Sequence, residues 1–441
     1  MIKKDYYHLN STDHFYKNFP KGKTFMKDHP FEHFVVLMME NQSFDRLYGY
    51  IDGIGKLKEG HLVSSASGTS LAATPGLHPV EDQVYDPPHS TESTMAQLWG
   101  DTPYKGQKPN GTGWINSHLD PECKKAFVRC CDEENLQLPA MTELAKNYVV
   151  CDRNFSAMPG PTAPNRLFLH AATSNGYTGG TWKPEDGLDM PPEVESIFEA
   201  LDHQDPSLGW NLYNLFPNMT TPLAFPYVRE HRERVKTFEE FKEDCSNDNL
   251  PAYSIINPNL FVNCMHAGQD GSTLVDGDNF VASVYEALRA NSTVWEKTLF
   301  FITFDEAGGY WDSVINTESQ PELNHVPRHD KWMKDDGPEY DFKYLGVRIP
   351  GLLISPWLDH AVESTTFEHS SVPATVKKIF NSVGRGPDGF LTPRDQAAND
   401  LISHLKLRDT PRTDLSELPR SNYNQSMLEA RAEYAKKKSN S

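Results

Sequence analysis

Six short apolar runs constrain most strongly what this chain can fold into. They are "HFVVLMM" (33–39), "NYVVCD" (147–152), "WNLYNL" (210–215), "AYSII" (252–256), "TLFFITF" (298–304) and "PGLLIS" (350–355). None alternates cleanly between polar and apolar residues, and runs this short and this apolar suit strands covered on both faces. Between them lie amphipathic stretches, among them "ESIFEALDHQ" (195–204), "NFVASVYEALRAN" (279–291) and "SSVPATVKKIFNSV" (370–383). The last has Val372, Val376, Ile379 and Phe380 at helical spacing, Ser370 or Ser371 as N-cap and Pro373 in the first turn. Strands alternating with helices predict an α/β fold with a mostly parallel central sheet and helices on both faces.

Charge and composition narrow the function classes. The 441 residues carry a formal net charge of −19, which disfavours a general nucleic-acid binder with its basic face. No window reaches the roughly 20 apolar residues of a membrane-spanning helix, and "MIKKDYYHLN" lacks the apolar stretch of a secretory signal. The expected location is cytoplasmic or peripheral to membranes, with transient contact with a membrane surface left open. The six cysteines show no paired CxxC spacing and read as buried or free thiols rather than as a zinc site. The organisation expected is an N-terminal extension over 1–30, one domain over 31–410 with long inserted loops at 51–140 and 305–345, and a polar tail over 411–441.

In an open parallel sheet, ligands bind beyond the carboxyl ends of the strands, so the first polar residues after each run matter. Glu40 and Asn41 come directly after the first run; Asp305 and Glu306 come directly after the fifth and precede Gly308–Gly309. Four oxygen-bearing side chains without cysteine suit a hard divalent cation. The alternative is that Glu40 and Asp305 merely cap the turns beyond their strands.

A second feature is "SAMPGPTAPNRLFLHAAT", in which Pro159, Gly160, Pro161 and Pro164 surround one hydroxyl, Thr162. The prolines would hold that hydroxyl on a stiff elbow at the start of a helix, whose N-terminal amides favour an anion. Arg166 lies one turn on, within reach of an oxyanion. The alternative is an ordinary proline-rich loop with Thr162 as N-cap. His89, His266 and His369 each precede a helical segment in a polar loop.

Together these stretches resemble the phosphoesterase family that includes bacterial phosphatidylcholine-hydrolysing and acid phosphatase-like enzymes and the plant non-specific phospholipases C. The resemblance rests on "MMENQSFDRLYGY" (38–50), "LAKNYVVCDRNFSAMPGPTAPNRLFLHAAT" (144–173), "VYEALRANSTVWEKTLFFITFDEAGGYWD" (284–312), "GVRIPGLLISPW" (346–357), "FEHSSVPATVKKIFN" (367–381) and "FLTPRD" (390–395), in family order across nearly the whole chain. It implies an alkaline phosphatase-like fold with the metal site at the carboxyl edge of the sheet. It implies one divalent cation held by Glu40, Asn41, Asp305, Glu306 and Thr162, and transient phosphorylation of Thr162. His89 and His266 match histidines that bind phosphate or carry protons; Asn165, Arg166 and His369 lie in motifs that carry the resemblance and are the expected substrate-binding residues.

"TAPNR" is also similar to the sulfatase pattern, but threonine cannot become formylglycine, so a phosphate ester is the expected substrate class. Two departures stand out: Ala307 and Ser313 occupy positions where the family commonly has histidine, and "NCMHAGQDG" lacks the usual acidic residues before His266. The activity implied is phospholipase C-type cleavage of a phospholipid. The alternatives are hydrolysis of small phosphomonoesters and a non-catalytic phosphate- or lipid-binding role.

Overall fold

The computed structural model describes residues 29–79, 81–118, 123–134, 137–179, 189–214, 221–259, 262–268, 272–321 and 338–421. All but the last two residues of the expected N-terminal extension, and the tail beyond residue 421, lie outside the described residues.

Each apolar run contributes a strand to one central sheet. In chain order its strands are β1 (His33–Met39), β2 (Val149–Cys151), β3 (Trp210–Asn214), β4 (Val235–Lys236), β5 (Tyr253–Asn257), β6 (Thr298–Phe304), β7 (Gly351–Ile354) and β8 (Ala361–Glu363). Across the sheet they run β8-β2-β7-β6-β1-β5-β3-β4. β1 lies parallel to both β5 and β6, with Phe34 opposite Tyr253 and Leu299. β7 is the exception: it runs antiparallel to β6 and to β2. Every residue of β6, and all of β1 but His33, is buried, as expected of strands covered on both faces. The two-residue β4 and three-residue β8 close the edges; they are too short to be seen as apolar runs.

The helices around the sheet include α1 (Phe44–Tyr48), α2 (Thr91–Trp99), α3 (Pro139–Asn147), α4 (Thr162–Ala171), α5 (Ile197–Gln204), α6 (Leu274–Arg289) and α7 (Ser371–Phe380). The longer ones pack as two groups, α3 with α6, and α4 with α5 and α7. The expected helix over 279–291 begins five residues earlier, because the Thr273 hydroxyl accepts from the Asp276 amide and caps the chain there. Residues 411–421, the described part of the polar tail, run along α6: the Tyr285 hydroxyl donates to Leu415 O at 2.6 Å and Arg420 pairs with Glu286. Cys130, Cys131, Cys151, Cys245 and Cys264 are buried thiols. No described helix is long and apolar enough to cross a membrane.

One buried ion network ties the loops beyond β1 and β6 to the strand pair below them. Arg348, just before β7, donates to Asp45 Oδ1 at 2.7 Å and to Asp312 Oδ1 at 2.8 Å, and stacks on Phe44. Asp45 in turn accepts from the Ser313 amide, and Asp312 from the Asp45 amide. Replacing Arg348 by methionine strands two buried carboxylates. The expected loss is about 3–5 kcal/mol of unfolding free energy, read from the midpoint of urea denaturation, with the 307–314 loop becoming protease-sensitive before the rest.

Candidate active site

Because β1 and β6 are adjacent and parallel, both deliver the residue after their last at the same edge of the sheet. Glu40 and Asn41 leave β1; Asp305 and Glu306 leave β6; all four are buried. Asn41 adopts a left-handed backbone (φ 58°), turning the chain sharply. Gly308 (φ 65°) lies so close beneath it that a Cβ there would sit 2.5 Å from Asn41 O, so only glycine lets the loop after β6 approach.

Backbone amides at the two strand ends hold the carboxylates of Asp305 and Glu306 in place. Asp305 Oδ1 accepts from the amides of Asn41 (3.1 Å) and Glu306 (2.8 Å). Glu306 Oε2 accepts from the Gly308 amide at 2.7 Å. Asn41 Nδ2 lies 3.4 Å from His89 Nε2. In three of the four residues one polar atom fixes the orientation and another is left over: Asn41 Oδ1, Asp305 Oδ2 and Glu306 Oε1 are buried and make no hydrogen bond. Such orphaned acceptors are costly unless something electropositive satisfies them.

Glu40 is braced from below. Arg166 donates to its Oε1 through Nη2 (2.6 Å) and Nε (3.1 Å), to Asn257 Oδ1 (2.8 Å) and to the backbone oxygens of Met38 and Met39. Its Nε stands 3.6 Å from Asp305 Oδ2. Even so, burial and the charge of Asp305 push the Glu40 carboxyl up to about 8 against the pull of Arg166. Burial, then Asp305, holds Glu306 well above the usual carboxylate range. The donor set, all oxygen and short of positive charge, fits a hard divalent cation; Glu40, Asn41, Asp305 and Glu306 would hold it.

Thr162 is the first residue of α4. Pro161, extended, is the cap, so the reading of Thr162 as an ordinary N-cap does not hold. Its hydroxyl donates to Glu40 Oε2 at 3.2 Å. The elbow before it is braced by two of the expected site residues. Asn165 Oδ1 accepts from the Met158 amide (3.1 Å), while Nδ2 donates to Gly160 O (3.0 Å) and Pro161 O (3.1 Å). His369 Nε2 donates to Phe304 O (2.9 Å), which leaves Nδ1 to accept from the Ala157 amide (3.3 Å). His369 therefore joins the end of β6 to the elbow, and burial pushes its pKa down, consistent with a neutral ring.

His89 lies beside Asn41, and His266 lies beside His89, their ring centroids 5.4 Å apart. Burial, then His89, lowers the His266 pKa. The structure thus brings Thr162, Glu40, Asn41, Asp305, Glu306, Arg166, His89 and His266 to one place, with Asn165 and His369 behind the elbow. Asp86, Asn257 and Gln42 escape the sequence reading. Asn257 is the first polar residue after the "AYSII" run and could have been found by the rule that found Glu40; Asp86 follows no strand and gives no such signal.

The comparisons with known proteins show a phosphoester hydrolase. The phosphoesterase family model matches residues 31–383, and the chain belongs to that family. It is 34% identical over 432 residues to non-specific phospholipase C3 of Arabidopsis thaliana, covering 89% of this chain and 77% of that protein. It is 33% identical to non-specific phospholipase C1 of the same plant, covering 88% and 73%. Identity falls to 25% with the non-hemolytic phospholipase C of Pseudomonas aeruginosa, of which the match covers 59%. Among solved structures, an alkaline phosphatase superfamily protein of Vibrio parahaemolyticus overlaps 64% of this chain at 12% identity and a TM-score of 0.34, too slight an overlap to add to the assignment.

If the open oxygens are cation ligands, excess Mn²⁺ raises the melting temperature of the chelated protein. The gain corresponds to about 2.7 kcal/mol at a concentration one hundred times Kd. Asp305→Asn, which can still accept both backbone amides, keeps its melting temperature in chelator and loses the Mn²⁺ shift. Differential scanning calorimetry checks both.

Proposed function

We propose that the protein is a divalent-metal-dependent phospholipase C-type hydrolase that works through phosphorylated Thr162. The observation that carries this reading is the Thr162 hydroxyl, held at the start of α4 and donating to Glu40 beside three buried, unsatisfied oxygens. A bound divalent cation supplies the charge that lowers the hydroxyl's pKa and neutralises a phosphoryl oxygen.

The chain's own residues do the rest. The elbow fixes the attacking oxygen, with Asn165 and His369 preventing its retreat, so attack on phosphorus is in line without reorganisation. Arg166 steadies Glu40, the acceptor of the threonine proton. The first-turn amides of α4, which have no partner within the helix, face the developing negative charge. His89 or His266 protonates the departing alcohol, diacylglycerol in a phospholipid, and the same group then activates water against the phosphothreonine. Substrate contact falls to these groups and to the loops around them. The plant and bacterial relatives named as phospholipases C support the phospholipid over a small monoester.

Acid quench during turnover, followed by mass spectrometry, tests this. Phosphate is expected on the Thr162 peptide with phosphatidylcholine vesicles. Thr162→Ala should lower kcat by roughly 10⁴- to 10⁶-fold. An adduct formed with p-nitrophenyl phosphate but not with vesicles would instead make the protein a phosphatase of small monoesters. Full activity in Thr162→Ala would refute the covalent mechanism.

A further inference from the structure

Among the described residues the exposed large apolar side chains are Leu62, Val262 and Val362, at 60%, 48% and 36% exposure. Apolar residues scattered singly over a surface need no explanation. Leu62 and Val262 are not scattered, because both stand at the end of the sheet that carries the site. Val262 lies in the loop that leaves β5, between Asn257, which accepts from Arg166, and His266, which lies beside His89. Leu62 belongs to a hairpin of Leu62–Ser64 and Ser70–Ala72. The ring of His61, next to it, stands 5.5 Å from that of Trp311, in the loop that leaves β6.

Both positions are presented by fixed backbone. The Asn259 amide donates to Asn263 Oδ1 at 2.8 Å, and the amides of Val262 and Asn263 donate to Asn259 O at 3.1 and 3.0 Å, which closes the turn that carries Val262. Just beyond it Met265 has a left-handed backbone (φ 75°), a strain kept only where the surroundings enforce it. They do so here: Gln42 Nε2 donates to Met265 O at 2.9 Å. In the hairpin Val63 is buried, and since side chains alternate along a strand, Leu62 faces the other way, toward solvent. Little ordering entropy is lost when a partner covers side chains held like this.

Charge separates this rim from the rest of the chain. Charged residues make up 23% of the sequence and leave a net −19, yet neither residues 60–80 nor residues 249–269 include an Asp, Glu, Lys or Arg. A partner recognised through ion pairs finds nothing to pair with in these segments. A layer of zwitterionic headgroups over hydrocarbon does fit: no charge has to be stripped of water, and two apolar side chains can reach below the headgroups. An anionic membrane fits less well, because it repels the rest of so acidic a protein.

We propose that Leu62 and Val262 dock the protein on a zwitterionic phospholipid surface, with the site edge of the sheet turned toward the lipid. The proposal rests on the phospholipid reading of the substrate, and the two can fail separately.

The test is flotation of the full-length protein with phosphatidylcholine vesicles in chelator, so that binding is read without turnover. Wild type should float with the vesicles, and raising the salt concentration should not release it, since no ion pair holds it there. Leu62→Asp and Val262→Asp should each weaken binding by about tenfold, the loss of one apolar contact. Val362→Asp, on edge strand β8 with β2, β7 and β6 between it and β1, should bind as wild type does. With metal restored, all three variants should hydrolyse dibutyrylphosphatidylcholine below its micellar concentration at the wild-type rate, and their melting temperatures should be unchanged. Wild type that stays with the unbound fraction overturns the proposal, as does undiminished flotation of Leu62→Asp and Val262→Asp or an equal loss in Val362→Asp. An equal loss of hydrolysis of the dissolved ester also overturns it, because the two residues would then serve the chemistry rather than the interface. Failure of the substrate reading would show as wild type that floats but leaves the vesicles intact.

Discussion

Burying the Glu40 carboxylate beside that of Asp305 sets the terms for everything around it. Two like charges without water repel strongly, and only Arg166, itself buried, stands between them. Arg166 cannot be in that position unless α4 crosses directly behind the end of β1, since its guanidinium also donates to the carbonyls of Met38 and Met39 and to the amide oxygen of Asn257. With α4 placed by that requirement, its first residue, Thr162, falls against the other oxygen of Glu40. The position of the hydroxyl is thus a consequence of how one carboxylate is neutralised, and the single guanidinium leaves the cluster short of positive charge.

The elbow before α4 answers a different constraint. A helix start held only by its own cap would let the hydroxyl move by an ångström or more, enough to spoil alignment with phosphorus. Proline stiffens the approach but removes donors, so the loop's carbonyls need outside partners. Asn165 supplies two donors from within the helix, and Arg394 Nη2 donates to Ala157 O at 2.7 Å. His369 adds the link to Phe304, so a shift of β6 would carry the elbow with it. The strand-end carboxylates and the Thr162 hydroxyl are in this way one rigid piece, although they come from segments more than a hundred residues apart.

How much of this was legible in the sequence depends on whether the governing force is local. The central strands were, because burial on both faces writes an unbroken apolar run, and β6 has the bounds its run predicts. Glu40, Asn41, Asp305 and Glu306 were, because strand ends in a parallel sheet share one edge. The antiparallel direction of β7 was not, since a strand's composition does not encode which way its neighbour runs; nor were β4 and β8, whose few residues carry no period. The spacing of Arg166 from Thr162 allows it to face either an oxyanion or the sheet beneath, and only the tertiary position of Glu40 shows where its donors go. Asn165 and His369 were found as motif members, but a motif does not show that their polar atoms are spent on backbone. Asp86 owes its place to a loop closure at Gly268, which no local pattern announces.

The departures from the family fit the same physical picture. Ala307 is buried between Glu306 and Gly308, its carbonyl accepting from the Tyr310 amide, and Ser313 meets Asp45 through its backbone amide. At both positions the loop conformation is carried by main-chain contacts, so losing an imidazole there leaves the shape of the loop intact while removing a proton carrier and a potential ligand from that side. The imidazoles that remain, His89 and His266, are on the side of Asn41, together and oriented by their own backbone carbonyls. The strain stored at Met265 is then intelligible as the cost of keeping His266 turned toward its partner.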